Sequence, residues 1–270
     1  YNNYLLPTYF KSIFFPGKVI PVVSLIAQYQ VTEAPRLRML VYTARGKRVL
    51  RSAAAMLETV AAQELVVYVP GWWNTPSDVA ARALRAAIVP RAGLLLVLDT
   101  RGAFCSSYLS AAARVPRVAD YLARWLRRSG LPARRLHLLG FSLGAHVAAL
   151  AALKLRPAAP CIPPTNLTHY IFQVVHTSRS LALRRPLGHV DVYAAVRCAP
   201  ACQHAASWRL FAASASHPAA LTAARCRQAA ELAAGRCSGP NATLGYPCRR
   251  DARGIFLLHP PFNLIKWLQD

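Results

Sequence analysis

Gly140-Phe141-Ser142-Leu143-Gly144 closes the mainly apolar run Leu136–Leu139 (LHLL) and opens a helix-forming stretch, HVAALAALKL. A serine flanked two residues away on each side by glycine suits a strand-to-helix turn too tight for larger side chains. Such a turn exposes the hydroxyl and aims the first amides of the helix at developing negative charge, which is the setting for acyl transfer. The same five residues also fit a plain Gly/Ser turn. The apolar LHLL before them and the helical run behind them favour the nucleophile elbow.

Elements must position that serine. Leu65–Val69 (LVVYV), halted by Pro70-Gly71, and Leu94–Asp99 (LLLVLD) read as buried central strands. Val79–Ile88 between them is rich in alanine and arginine and reads as a helix, so strand, helix and strand imply a parallel pair. Val115–Gly130 is amphipathic, with Val118, Leu122, Trp125 and Leu126 on one face and Gly130 in place to cap it. Tyr170–His176, His189–Tyr193 and Ile255–Leu258 are further strand candidates. The apolar stretch Ser12–Ala27 is broken by Pro16, Gly17, Lys18 and Pro21, which suits a pair of edge strands better than a membrane span. No repeat or low-complexity linker divides the 270 residues, so residues 1–270 are expected to form one α/β domain.

Lys+Arg total 33 against Asp+Glu 10, a net charge of +23. A field of that sign draws polyanions of the heparan type or anionic lipid surfaces. The excess is mostly arginine in scattered doublets such as Arg127-Arg128 and Arg249-Arg250, accompanied by abundant alanine, so coding-sequence bias explains it equally well. Nothing in the pattern marks a nucleic-acid binder. Seven cysteines and the sequons at Asn166 and Asn241 favour an extracellular, oxidising compartment. Neither a metal site nor a cofactor is expected: CAPAC with its nearby histidine has no second half-site.

In order along the chain stand VPGWW from Val69, VLDTRGAF from Val97, HLLGFSLGAHVA from His137, LRPAAPC from Leu155, FQVVHTS from Phe172, GHVDVY from Gly188, CQHAASW from Cys202 and ARGIFLL from Ala252. Taken together they resemble the pancreatic-lipase-like family of secreted α/β-hydrolases, in the form common among insect members. The resemblance implies a mostly parallel central sheet flanked by helices, a lipid ester as substrate, Ser142 as nucleophile and His204 as general base. Without it, His204 reads as a loop histidine. The oxyanion hole would combine the backbone N–H groups of Leu143 and Trp72. Pro70 stands where the family has histidine, which removes one N–H and a polar side chain.

The resemblance breaks at the acid. Leu155-Arg156-Pro157-Ala158-Ala159-Pro160 fills the family's Leu-Asp-Pro-Ala-Gly-Pro segment, so Arg156 occupies the slot of the triad aspartate, and the stretch from His146 to Pro157 is shorter than the family's. Neutralising that acid in a serine protease costs about 10⁴ in turnover, and a cation opposes the imidazolium further. Asp191 is the one acidic residue between Ser142 and His204. It is a weak alternative acid and fits a structural carboxylate better. His146 and His176 read as packed helix and strand histidines.

By the same resemblance Cys198 and Cys202 bracket the family's lid. Only Ala199-Pro200-Ala201 lies between them, so the site would be effectively lidless. Cys226 with Cys237 is the next implied disulfide; Cys161 with Cys248 is a guess, and Cys105 is left over. No C-terminal β-sandwich domain is expected. The alternative to a weakened ester hydrolase is a non-catalytic lipid-binding or yolk-like storage protein on the same scaffold.

Overall fold

The computed structural model describes residues 12–15, 18–21, 36–50, 52–53, 65–131, 135–155, 173–178, 186, 189–246 and 252–261. The chain divides into two compact units, the first carrying the elements from residue 38 to 154 and the second those from 173 to 258. Strands β1 (Ser12–Phe15) and β2 (Lys18–Pro21) pair with each other in a two-stranded sheet.

In the first unit β3 (Arg38–Thr43), β4 (Gly46–Leu50), β5 (Leu65–Val69), β6 (Leu94–Asp99) and β7 (Leu136–Gly140) form a sheet of order β4-β3-β6-β5-β7. Every residue of β5 and β6 is buried, as expected of apolar strands covered on both faces. Helix α1 (Val79–Ala92) joins them and they run parallel, register Val67 to Leu96. Asp78 caps α1 by accepting the Ala81 N–H at 2.8 Å, and Gly93, at φ 75°, returns its own N–H to the Val89 carbonyl at its other end. After the short α2 (Arg101–Phe104) comes α3 (Tyr108–Arg128), whose buried face includes Val118, Leu122, Trp125 and Leu126. It packs on α4 (Leu143–Lys154), which carries Val147, Leu150 and Ala151 into the same core.

In the second unit β8 (Gln173–His176), β9 (Val190–Ala194), β10 (Thr222–Cys226), β11 (Gly239–Thr243) and β12 (Gly254–Leu258) form a sheet of order β11-β10-β12-β9-β8. Helix α5 (Pro200–Ser216) adds Ala206, Leu210 and Ala213 to a core shared with Val190, Val192, Phe256 and Leu258. A short α6 (Ala229–Ala233) follows β10.

The expected mostly parallel sheet is therefore corrected to two mixed ones. β5 pairs in parallel with β6 and β7, and β9 with β8 and β12, but β3 runs antiparallel to β4 and β6, and β10 to β11 and β12. β3 and β4 are joined by a turn of two residues, far too short for the crossover that a parallel pair needs. The class remains α/β, mixed sheets flanked by helices.

Candidate active site

Ser142 joins β7 to α4 at φ 55° and ψ −123°, and among the described residues only Trp73 shares its positive φ without being glycine. Strand pairing carries it there: the Phe141 N–H still donates to the Val69 carbonyl at 3.1 Å, after which the chain reverses into the helix. Both glycines are required by space. A Cβ on Gly140 would strike the Gly144 carbonyl and lie 2.5 Å from Ala145 Cα, while one on Gly144 would strike the Val69 carbonyl and lie 2.5 Å from that of Pro70. A serine held this way stores about 1–3 kcal/mol of backbone strain, which the surrounding structure must over-determine.

The turn after β5 lies against that serine. A Cβ on Gly71 would come within 2.7 Å of Ser142 Cβ and 2.8 Å of the Phe141 carbonyl, so only glycine fits where Pro70-Gly71-Trp72 passes the elbow. Trp72 is fixed beyond it: its indole N–H donates to the Ser106 carbonyl at 2.9 Å and its ring meets Tyr108 edge-on at 5.4 Å. Asp78 pins the rest of the loop, accepting from the Asn74 side chain at 2.7 Å and the Thr75 N–H at 3.2 Å while it caps α1. Sequence reasoning misses Asp78, although an acidic residue directly before a helical run is a helix-start signal. His146, one turn into α4, is pushed down to about 4 by burial and is neutral at physiological pH.

In the second unit His204 is the fifth residue of α5, not a loop histidine. Cys198 and Cys202 form a disulfide across the start of that helix, and the Gln203 side chain donates to the Cys198 carbonyl at 2.8 Å. Desolvation in its half-buried position holds the His204 imidazole below its ordinary value, so the neutral, proton-accepting form persists to lower pH. Asp191, buried on β9, pairs its carboxylate with His176 Nε2 at 2.8 Å, and the His176 ring stacks on Tyr193 at 4.2 Å. The parallel register sets Val174 beside Asp191 and His176 beside Tyr193. Cys226 and Cys237 form the second disulfide, and Cys105 is a free thiol. Asn241 is exposed on β11. Arg156, Cys161, Asn166 and Cys248 lie outside the described residues. Among the described residues no cluster of His, Cys, Asp and Glu is suited to a metal ion, and no helix is long and apolar enough to cross a membrane.

A serine at positive φ on a strand-to-helix turn, within α/β architecture, has the backbone geometry that a nucleophile elbow requires. The chain is 32% identical to lipase member H-B of Xenopus laevis over 121 residues, covering 37% of this chain and 26% of that protein. It is also 27% identical to phospholipase A1 of Vespa crabro over 134 residues, 37% of this chain and 44% of that protein. To phospholipase A1 VesT1.02 of Vespa tropica the identity is 21% over 199 residues, 58% and 66% of the two chains. The match thus spans about a quarter of the length of the frog lipase. No protein-family model matches the chain. The lipase and phospholipase relatives bear out the resemblance to the pancreatic-lipase-like family.

Proposed function

We propose that this chain is a secreted, lipase-like carboxylic ester hydrolase, one domain over residues 1–270, with Ser142 as nucleophile and His204 as general base. The observation that carries this reading is the backbone of Ser142, at φ 55° between two glycines that nothing larger can replace. His204 takes the hydroxyl proton as Ser142 Oγ adds to the ester carbonyl carbon, and the oxyanion is received by the N–H groups of Leu143 and Trp72. Leu143 opens α4, so its N–H belongs to the set a helix leaves unpaired within itself. Collapse expels the alcohol, which takes the proton from His204. Water, activated by the same imidazole, then releases the acid and restores Ser142.

Arg156 in the acid slot makes the expected turnover weak, of the order of 10⁴ below an intact triad. Asp191 is engaged by His176, which supports leaving it out of the catalytic set. The disulfides Cys198–Cys202 and Cys226–Cys237 fit an extracellular protein, and the exposed Asn241 suits glycosylation. The second reading, a non-catalytic lipid-binding or yolk-like storage protein, is favoured by Arg156 and by Pro70 in place of the family's histidine. Steady-state hydrolysis of a short-chain ester and of a phospholipid emulsion, with Ser142→Ala in parallel, separates the two.

A further inference from the structure

Strand β4 ends its sheet in the order β4-β3-β6-β5-β7, paired with β3 on one side and with no strand among the described residues on the other. An unpaired edge presents a row of main-chain N–H and C=O groups that an incoming extended chain can meet with further ladder bonds. Gly46, Lys47, Arg48 and Val49 are all exposed, so nothing described covers that edge.

What the edge carries decides what it can take. The register sets Lys47 opposite Tyr42 and Val49 opposite Leu40 on one face of the sheet, and Arg48 opposite Val41 on the other. Arg85 of α1 brings a further cation to the first face. Its guanidinium lies 5.3 Å from the centroid of the Tyr42 ring, and the Lys47 ammonium lies 6.0 Å from the same centroid. None of Arg45, Lys47, Arg48 and Arg85 has a carboxylate partner among the described residues. Like charges gathered beside one ring repel each other, and an incoming carboxylate relieves that repulsion. Val49, 49% exposed, adds an apolar contact two residues along from Lys47 on the same face.

A second copy of this chain is a poor occupant. Pairing β4 with itself sets Lys47 and Arg48 against the same cations of the other copy, the means by which sheet edges commonly protect themselves. A sulfated glycan meets the charges but neither the ladder groups nor Val49. We propose that β4 is a docking edge for an extended, acidic segment of a partner protein, which joins the sheet as a further strand with acidic residues opposite Lys47 and Arg48 and an apolar one opposite Val49. This goes beyond the ester-hydrolase reading and does not rest on it.

The test titrates the full chain with the blocked peptide Thr-Val-Glu-Glu-Val-Thr, whose palindromic order suits either strand direction, and with the same peptide N-methylated along its backbone. Physiological salt screens exposed charges beyond about 8 Å, which suppresses attraction by the chain's overall field. The peptide should shift the backbone amide resonances of residues 46–50 and slow their hydrogen exchange. The N-methylated peptide, of equal charge, should bind about tenfold more weakly. Lys47→Gln combined with Arg48→Gln should also weaken binding about tenfold, and Val49→Ser should weaken it less. Arg124→Gln, which removes an exposed cation on α3, should leave binding unchanged. Equal binding of the two peptides overturns the proposal, as does equal binding by the chain and the folded Lys47→Gln, Arg48→Gln variant. A heparin oligosaccharide that shifts the β4 amides where the peptide does not overturns it as well. Ser142→Ala should bind the peptide as the full chain does, so loss of the catalytic reading leaves this one standing.

Discussion

Ser142 pays a conformational cost that a glycine at the same position would avoid. Ser142→Gly should raise stability by about 1 kcal/mol, the relieved strain less the entropy glycine loses on folding, and should abolish any esterase activity. Denaturant unfolding checks this, and a lowered midpoint would show that the turn is not strained. The elbow is legible in the sequence because a tight reversal has few chemical solutions and glycine at 140 and 144 is one of them. That Gly71 touches the same serine is not legible from spacing, since it depends on β5 and β7 being neighbours in register. The His176–Asp191 pair is hidden for the same reason. Each residue fits its own strand, and only the parallel alignment of β8 with β9 brings them together.

Helix α1 and the loop before it form one device through Asp78, whose two carboxylate oxygens serve the cap and the loop at once. Asp78→Ala should cost about 1–2 kcal/mol from the lost cap and should lower ester hydrolysis further than the stability loss accounts for, because the loop that carries Trp72 is released. Asp78→Asn keeps an acceptor and should restore most of the stability. Thermal unfolding and initial rates measured together decide it; equal rates in both variants would detach Asp78 from the site. Elements with a strong apolar pattern, β5, β6 and the core of α3, are readable in advance. β4, whose Gly46-Lys47-Arg48 is exposed, and β11, written Gly-Pro-Asn-Ala-Thr, carry residues that strands usually avoid and are defined by their pairing. The strand β3 passes unread although Met39-Leu40-Val41-Tyr42 is buried, because nothing in its own run fixes its partner. His204 sits on a helix whose start is obscured by the cysteine-bounded CAPAC segment.

At the scale of the molecule, class and landmark order are readable from the sequence, whereas the division into two mixed sheets is not, because antiparallel flanks follow from turn lengths and pairings rather than composition. The pH dependence of stability is a whole-chain property with an identifiable contributor. His146 is held near 4 in the folded protein against about 6.5 unfolded, so the unfolded chain takes up that proton first. Its contribution is full above pH 6.5 and is lost as pH falls toward about 4, by up to about 3 kcal/mol. His146→Leu should flatten that part of the profile in denaturant titrations between pH 4 and 7; an unchanged slope would contradict the assignment. The net charge of +23 is carried chiefly by scattered arginines, so the sign of a preferred surface is readable while its location depends on the fold. Whether Ser142 works as a nucleophile or survives as a relic of one is decided by steady-state hydrolysis of a short-chain ester by the purified chain beside Ser142→Ala. Slow turnover that disappears in Ser142→Ala is the expected result; rates that match between the two proteins would contradict it and leave a lipid-binding scaffold.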